Sequence, residues 1–261
     1  MSIDGRIERQ RIAALVVDVK IALIFLTRLP LRHAGAITGE DLARASWANP
    51  IAGALIGASG ALVYLIAYSI GLPPVLSALL AVAATILITG ALHEDGLGDV
   101  ADGFGGAFER EKKLAIMRDS RIGTYAGLAL ILSVAIRAAA LTAIAEPGAV
   151  AAALIAAHAG ARAAIPCLMR SFPLAKAEGL AAYAGEPPGA SVAAALVLGL
   201  LVSVLSLGAA GIVAMLAGAC AAFAMGAIAL GQIGGYTGDV LGAAEQLAEA
   251  GVLIAAAALL L

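Results

Sequence analysis

Ser191-Val192-Ala193-Ala194-Ala195-Leu196-Val197-Leu198-Gly199-Leu200-Leu201-Val202-Ser203-Val204-Leu205-Ser206-Leu207 contains no charged, amide or imidazole side chain. A helix of this composition presents hydrocarbon on every side. At 1.5 Å per residue it also approaches the roughly 30 Å depth of a bilayer core. Working outward, comparable apolar runs recur at about 48–70, 74–92, 124–145, 149–169, 211–230 and 243–261, which with 191–207 makes about seven spans. The composition of the whole chain agrees. Of its 261 residues 62% are hydrophobic and 13% charged, with a mean hydropathy of +1.00, too few polar side chains to clothe a soluble domain. The expected fold is therefore all-α: a polytopic transmembrane helix bundle forming a single integral membrane domain over residues 1–261. Gly and Ala fill much of these runs, and small residues let helix backbones approach one another within a bilayer.

Residues 12–29 break the pattern, because Asp18 and Lys20 interrupt them and Arg6, Arg9 and Arg11 precede them. They read as an amphipathic helix that is interfacial or re-entrant rather than an eighth span. Lysine and arginine are retained on the cytoplasmic side of a membrane. Arg28, Arg32, Arg44, Arg110, Lys112, Lys113, Arg118, Arg121, Arg170 and Lys176 all fall at one set of span ends, while the connections near 71–73, 146–148 and 208–210 carry neither residue. That assigns the first set to the cytoplasm. A net charge of −2 gives no footprint for nucleic acid. Cys167 and Cys220 lie in apolar runs, where free thiols act as small hydrophobes. The lipid bilayer is one expected partner, and self-association as a homo-oligomer stays open.

Against this background, His93-Glu94-Asp95-Gly96-Leu97-Gly98-Asp99-Val100-Ala101-Asp102-Gly103 stands out. With Arg118-Asp119-Ser120-Arg121 it makes residues 93–123 the expected cytoplasmic catalytic segment. Asp95, Asp99 and Asp102 stand at i, i+4 and i+7, within about 60° of one another on a helix. Carboxylates at that spacing repel, so a cation should compensate. A hard divalent ion such as Mg²⁺ suits carboxylate oxygens in a site left open to phosphate. The basic residues that follow are suited to phosphate oxygens. A solvated charged loop is the plain alternative, and His93 reads equally as a ligand, a base or a capping residue. Arg137, His158 and Arg162 fall inside spans, where ionisable groups face the bundle interior or a cavity. Arg162 is thus a candidate substrate contact, although snorkelling to the interface would also explain it. Such intramembrane groups keep a transporter as a rival class.

The chain resembles the cobalamin synthase family, whose members are adenosylcobinamide-GDP ribazoletransferases, also called cobalamin-5′-phosphate synthases. The resemblance rests on Asp95-Gly96-Leu97-Gly98-Asp99-Val100-Ala101-Asp102-Gly103, on the continuation Glu111–Tyr125, on Phe25-Leu26-Thr27-Arg28-Leu29-Pro30, and on Gly234-Gly235-Tyr236-Thr237-Gly238-Asp239-Val240-Leu241-Gly242-Ala243. It implies a Mg²⁺-dependent membrane enzyme that joins adenosylcobinamide-GDP to α-ribazole or its 5′-phosphate and releases GMP. The aspartate spacing is also similar to that of the CDP-alcohol phosphotransferases, lipid enzymes with a metal-binding aspartate array. The second aspartate here follows at i+4 rather than i+3, and their Ala-Arg element is missing.

For attack of a ribose hydroxyl on a diphosphate, Asp95, Asp99 and Asp102 are the expected metal ligands and Asp102 or Asp119 the expected base. Arg118, Arg121 and Lys112 are expected to bind phosphate. Asp239 would complete the metal shell or hold a ribose, unless it is only a helix cap.

Overall fold

The computed structural model describes residues 3–260, with side chains described from Ile12 onward. Regular structure there is helical apart from one bridge between Leu174 and Tyr236. The helices are α1 (Ile3–Leu26), α2 (Gly39–Ala45), α3 (Asn49–Ser69), α4 (Pro74–Thr89), α5 (Leu92–Gly106), α6 (Arg110–Ile116), α7 (Thr124–Ile144), α8 (Pro147–Ser171), α9 (Leu180–Ala184), α10 (Gly189–Leu207), α11 (Ala210–Ile233) and α12 (Gly238–Leu260), with a 3-10 turn at Ser46–Ala48. Six segments are long and apolar enough to cross a bilayer: α2 and α3 together, α7, α8, α10, α11 and α12. The bent pair α4 and α5 would make a seventh, so the expected all-α bundle of about seven spans is the one observed.

The run at 74–92 departs from a simple span at its end. α4 stops at Thr89, Gly90 and Ala91 both take left-handed backbone (φ 67° and 59°), and α5 leaves at 93° to α4. Glycine adopts that conformation freely, whereas alanine does so only under steric strain. The Phe25–Pro30 motif clamps the corner: the Arg28 N–H donates to the Ile88 carbonyl at 2.7 Å. Its guanidinium lies where a side chain on Gly90 would stand, beside the carbonyl end of α4. α5 is thereby turned across the end of the bundle, and its acidic sequence need not enter hydrocarbon.

α8 is the central post, with α3, α10, α11 and α12 packed around it. Close approach depends on glycine. A Cβ on Gly53 would sit 2.2 Å from the His158 carbonyl oxygen, and one on Gly57 2.4 Å from that of Leu154. On the outer faces Val197 and Leu205 of α10 are 65% and 76% exposed, a surface that only lipid accommodates over such an area. The N-terminal segment forms α1 and is not among the candidate spans. Ile21, Ala22 and Leu26 are buried where it meets α2 and α3, whereas residues 12–17 are exposed all round rather than along one stripe. The side chains of Arg6, Arg9 and Arg11 lie outside the described residues. Trp47 donates its indole N–H to Asp18 at 3.0 Å and Arg44 pairs with the same carboxylate at 3.0 Å, which ties α1 to α2 and the 3-10 turn that leads into α3.

Gly57→Leu should force α3 off α8 and lower stability by about 1–3 kcal/mol or more, read as a fall in thermal midpoint in detergent. Gly127, which has open space around its Cβ direction, is the control that should tolerate alanine.

Candidate active site

α5 carries two chemistries on two faces. Its inner face holds His93 and Glu94, both buried, and its outer face holds Asp95, Asp99 and Asp102. The inner pair enters a buried ionic network. Arg137 of α7 donates from Nη1 to Glu94 Oε1 at 3.2 Å and to Glu249 Oε1 of α12 at 3.0 Å. Arg162 of α8 places Nη1 2.6 Å from Glu245 Oε1 and 3.0 Å from His158 Nδ1, with Nη2 3.4 Å from His93 Nδ1. His158 Nδ1 lies 3.1 Å from Glu249 Oε2. Each of these side chains is at least nine-tenths buried or close to it. Arg162 therefore lines neither surface chamber. Its guanidinium is engaged by Glu245 and the two histidines inside the bundle.

Glu245 and Glu249 escaped the sequence reading because each looks like an isolated acid in an apolar run. The available signal was their i, i+4 spacing, which matches His158 and Arg162 at i, i+4 on the facing helix. Among the described residues, His158, Glu245 and Glu249 are the one trio whose ligand atoms all come within 4.8 Å. Arg137 and Arg162 already occupy these carboxylates, so ion pairing accounts for the convergence.

The outer face borders two chambers. An acidic one, about 290 Å³, is lined by Asp95, Asp99 and Asp102 of α5 and by Arg118, Asp119 and Arg121 of the loop before α7. A largely apolar one of similar volume lies on the other side, between α1, α2, α8 and α9, with Asp239 and Lys176 at its rim. Asp95 lines both. Gly96 makes this possible, because a Cβ there would stand 2.7 Å from the Asp239 carbonyl oxygen, so α5 and the start of α12 touch backbone to backbone. The second glycine-rich motif builds that start. Tyr236 N–H donates to the Pro173 carbonyl at 2.9 Å, and the Thr237 hydroxyl receives the Val240 N–H at 3.3 Å, capping α12 beside Asp239.

The aspartates feel one another. Burial and the neighbouring charges of Asp95, Asp239 and Asp102 raise the Asp99 carboxyl from the ordinary value to about 6. They line a shared wall rather than closing to a point. Asp102 has turned away to cap α7, accepting the Gly123 N–H at 2.6 Å and the Ala126 N–H at 2.9 Å, one on each oxygen. Asp119 is held in a fork by Arg121, with Nε 3.0 Å from both oxygens, and this drops its carboxyl to about 2. As it stands Asp119 is a poor proton acceptor. Arg118 is exposed at the acidic chamber. Lys112 pairs with Glu109 at 3.1 Å and is not part of either lining. Its neighbours do structural service: Arg110 donates to the Ile233 carbonyl at 2.8 Å and Lys113 reaches Gln232, fastening α6 to the carbonyl end of α11.

The cobalamin-5-phosphate synthase family model matches residues 18–257. The chain belongs to that family. It is 51% identical over 250 residues to an adenosylcobinamide-GDP ribazoletransferase of Bradyrhizobium diazoefficiens, covering 95% of this chain and 96% of that one. The corresponding enzymes of Mesorhizobium japonicum and Azorhizobium caulinodans are 46% and 44% identical, over 92% and 94% of this chain and 92% and 96% of theirs. No solved structure matches.

Removing one side of the buried network leaves charge behind it. Arg137→Met should destabilise the folded protein by about 3–5 kcal/mol, and pairing it with Glu249→Gln should recover part of the loss, measured by thermal unfolding in detergent.

Proposed function

We propose that this chain transfers the adenosylcobinamide phosphate group of adenosylcobinamide-GDP to a ribose hydroxyl of α-ribazole, or of its 5′-phosphate. The new phosphorus–oxygen bond forms as the bridging oxygen of the diphosphate leaves with GMP, giving adenosylcobalamin or its phosphate. What supports this reading, beyond family membership, is that Asp95 is a common wall of two chambers. A reaction joining two large molecules needs two approaches to one point, and bringing them there in line supplies much of the acceleration.

The donor set fits Mg²⁺. An open row of carboxylates with one of them pushed up to about 6 is a cluster short of positive charge, and Mg²⁺ characteristically takes one or two carboxylates and completes its shell with water and substrate phosphate. Asp95 and Asp99 would hold it, with Asp239 and Asp102 at the margin; when bound it would offset charge on the phosphoryl oxygens and on departing GMP. Arg118 and Arg121 bind phosphate from the loop, and a phosphate that draws Arg121 to itself frees Asp119. The freed carboxylate regains basicity and can accept the hydroxyl proton. The chambers open on the cytoplasmic side of the cytoplasmic membrane, a reading supported by lysine and arginine gathered at this end of the bundle.

Asp95→Asn and Asp99→Asn should each lower GMP release by about 10²–10³-fold in a folded, monodisperse protein supplied with both substrates and Mg²⁺. Near-normal turnover in both variants would sink the metal assignment. Arg121→Ala should raise the KM for adenosylcobinamide-GDP more than it lowers kcat, as steady-state assays will show.

A further inference from the structure

We infer that the apolar chamber is the acceptor subsite, taking the benzimidazole base of α-ribazole, while the acidic chamber across Asp95 takes the diphosphate of the donor. This assignment rests on the transferase reading above. The walls that carry it are Ile21 and Phe25 of α1, Leu92 of α5, Ile165 and Met169 of α8, and Ala181 of α9. They present hydrocarbon to the space, and the charged side chains of the lining, Asp95, Asp239, Lys176 and Glu178, are exposed or partly exposed.

Three bodies compete for such a space, and their chemistry separates them. A corrin ring with its fringe of amides is too polar for these walls, since each amide would need a partner. Guanine would have to bury several edge donors and acceptors, each needing a partner. The interior offers few. The Ser46 hydroxyl is given to the Ala43 carbonyl at 2.8 Å, and His93 is engaged by Arg162 and Glu245. Only the buried amide of Asn49 is left among the neutral polar linings. Dimethylbenzimidazole asks for that much: an apolar bicycle with two methyl groups and one ring nitrogen that accepts a hydrogen bond. With the base inside, its ribose rests at the rim, next to Asp95 and Asp239.

The roof of the chamber is segment 176–187, tied down from outside. Tyr183 donates its hydroxyl to the Ile37 carbonyl at 3.0 Å, and Arg170 reaches Glu186 at 2.6 Å. Ala181 is the buried residue of that roof, and a larger side chain there fills the chamber without entering the ionic network. Phe25, 37% exposed on α1, can be truncated with little disturbance to the bundle.

The test uses full-length protein in detergent with two variants, Ala181→Leu and Phe25→Ala. Binding of labelled α-ribazole is measured by equilibrium dialysis without donor or Mg²⁺, and KM is then measured for each substrate. Both variants should weaken α-ribazole binding and raise its KM by about tenfold or more, with the KM for adenosylcobinamide-GDP changed less than about twofold. In Ala181→Leu, the riboside of unsubstituted benzimidazole should lose less than the dimethyl compound. Unchanged α-ribazole affinity in both variants, or an equal rise in the KM of the donor, overturns the assignment. So does a fall in co-purifying lipid with ribazole binding intact, which would make the chamber an acyl-chain site. Wild-type protein that neither binds α-ribazole nor releases GMP removes the transferase reading as well.

Discussion

Two guanidinium groups facing three carboxylates inside a helix bundle hold the rest of this structure in register. Arg137 and Arg162 come from α7 and α8, Glu245 and Glu249 from α12, and Glu94 from α5, with His93 and His158 between them. Ions taken out of water lose several kcal/mol of hydration each, and pairing returns that only when the geometry is good. The consequence is specificity of arrangement. Apolar helix faces slide past one another at small cost, whereas a helix shifted by one turn here would strand an unpaired charge in the bundle.

α5 gains most from this. At fifteen residues, five of them glycine, it has poor intrinsic helical stability and no span of its own to fix it. Packing and ion pairs supply what propensity does not. Gly96 lets it lie against α12, Gly103 lets it lie against α6 and Met117, and Asp102 caps α7. The glycines that weaken the helix in isolation are the ones that let its neighbours grip it.

Much of this was legible in the sequence, and the limits have physical causes. Span positions follow from hydropathy, since a bilayer core demands continuous apolar runs. The shared face of Asp95, Asp99 and Asp102 follows from helical period. What escaped depends on contacts between distant segments. The break at Gly90 and Ala91 was read as the tail of a span because Ala-Leu continues the apolar pattern, and nothing local says that alanine will take a left-handed backbone. The pairing of Arg162 is invisible locally because its partner Glu245 lies far along the chain. Nothing local separates Lys112 from Lys113, yet one faces Glu109 in solvent and the other reaches across to α11.

The inner and outer faces of α5 are not independent. Glu94 and Asp95 are adjacent, so their side chains leave the helix about 100° apart, and whatever fixes the direction of one fixes the other. Arg137 fixes Glu94. The aim of Asp95, and with it Asp99 one turn on, is therefore set by a charge pair in the bundle interior, beyond reach of any substrate. A carboxylate row that repels itself would otherwise rotate its members apart into solvent. Here a turn of the helix would drag Glu94 off Arg137, so the row keeps its direction. The buried pair thus holds the acidic face of α5 in one orientation toward the two chambers.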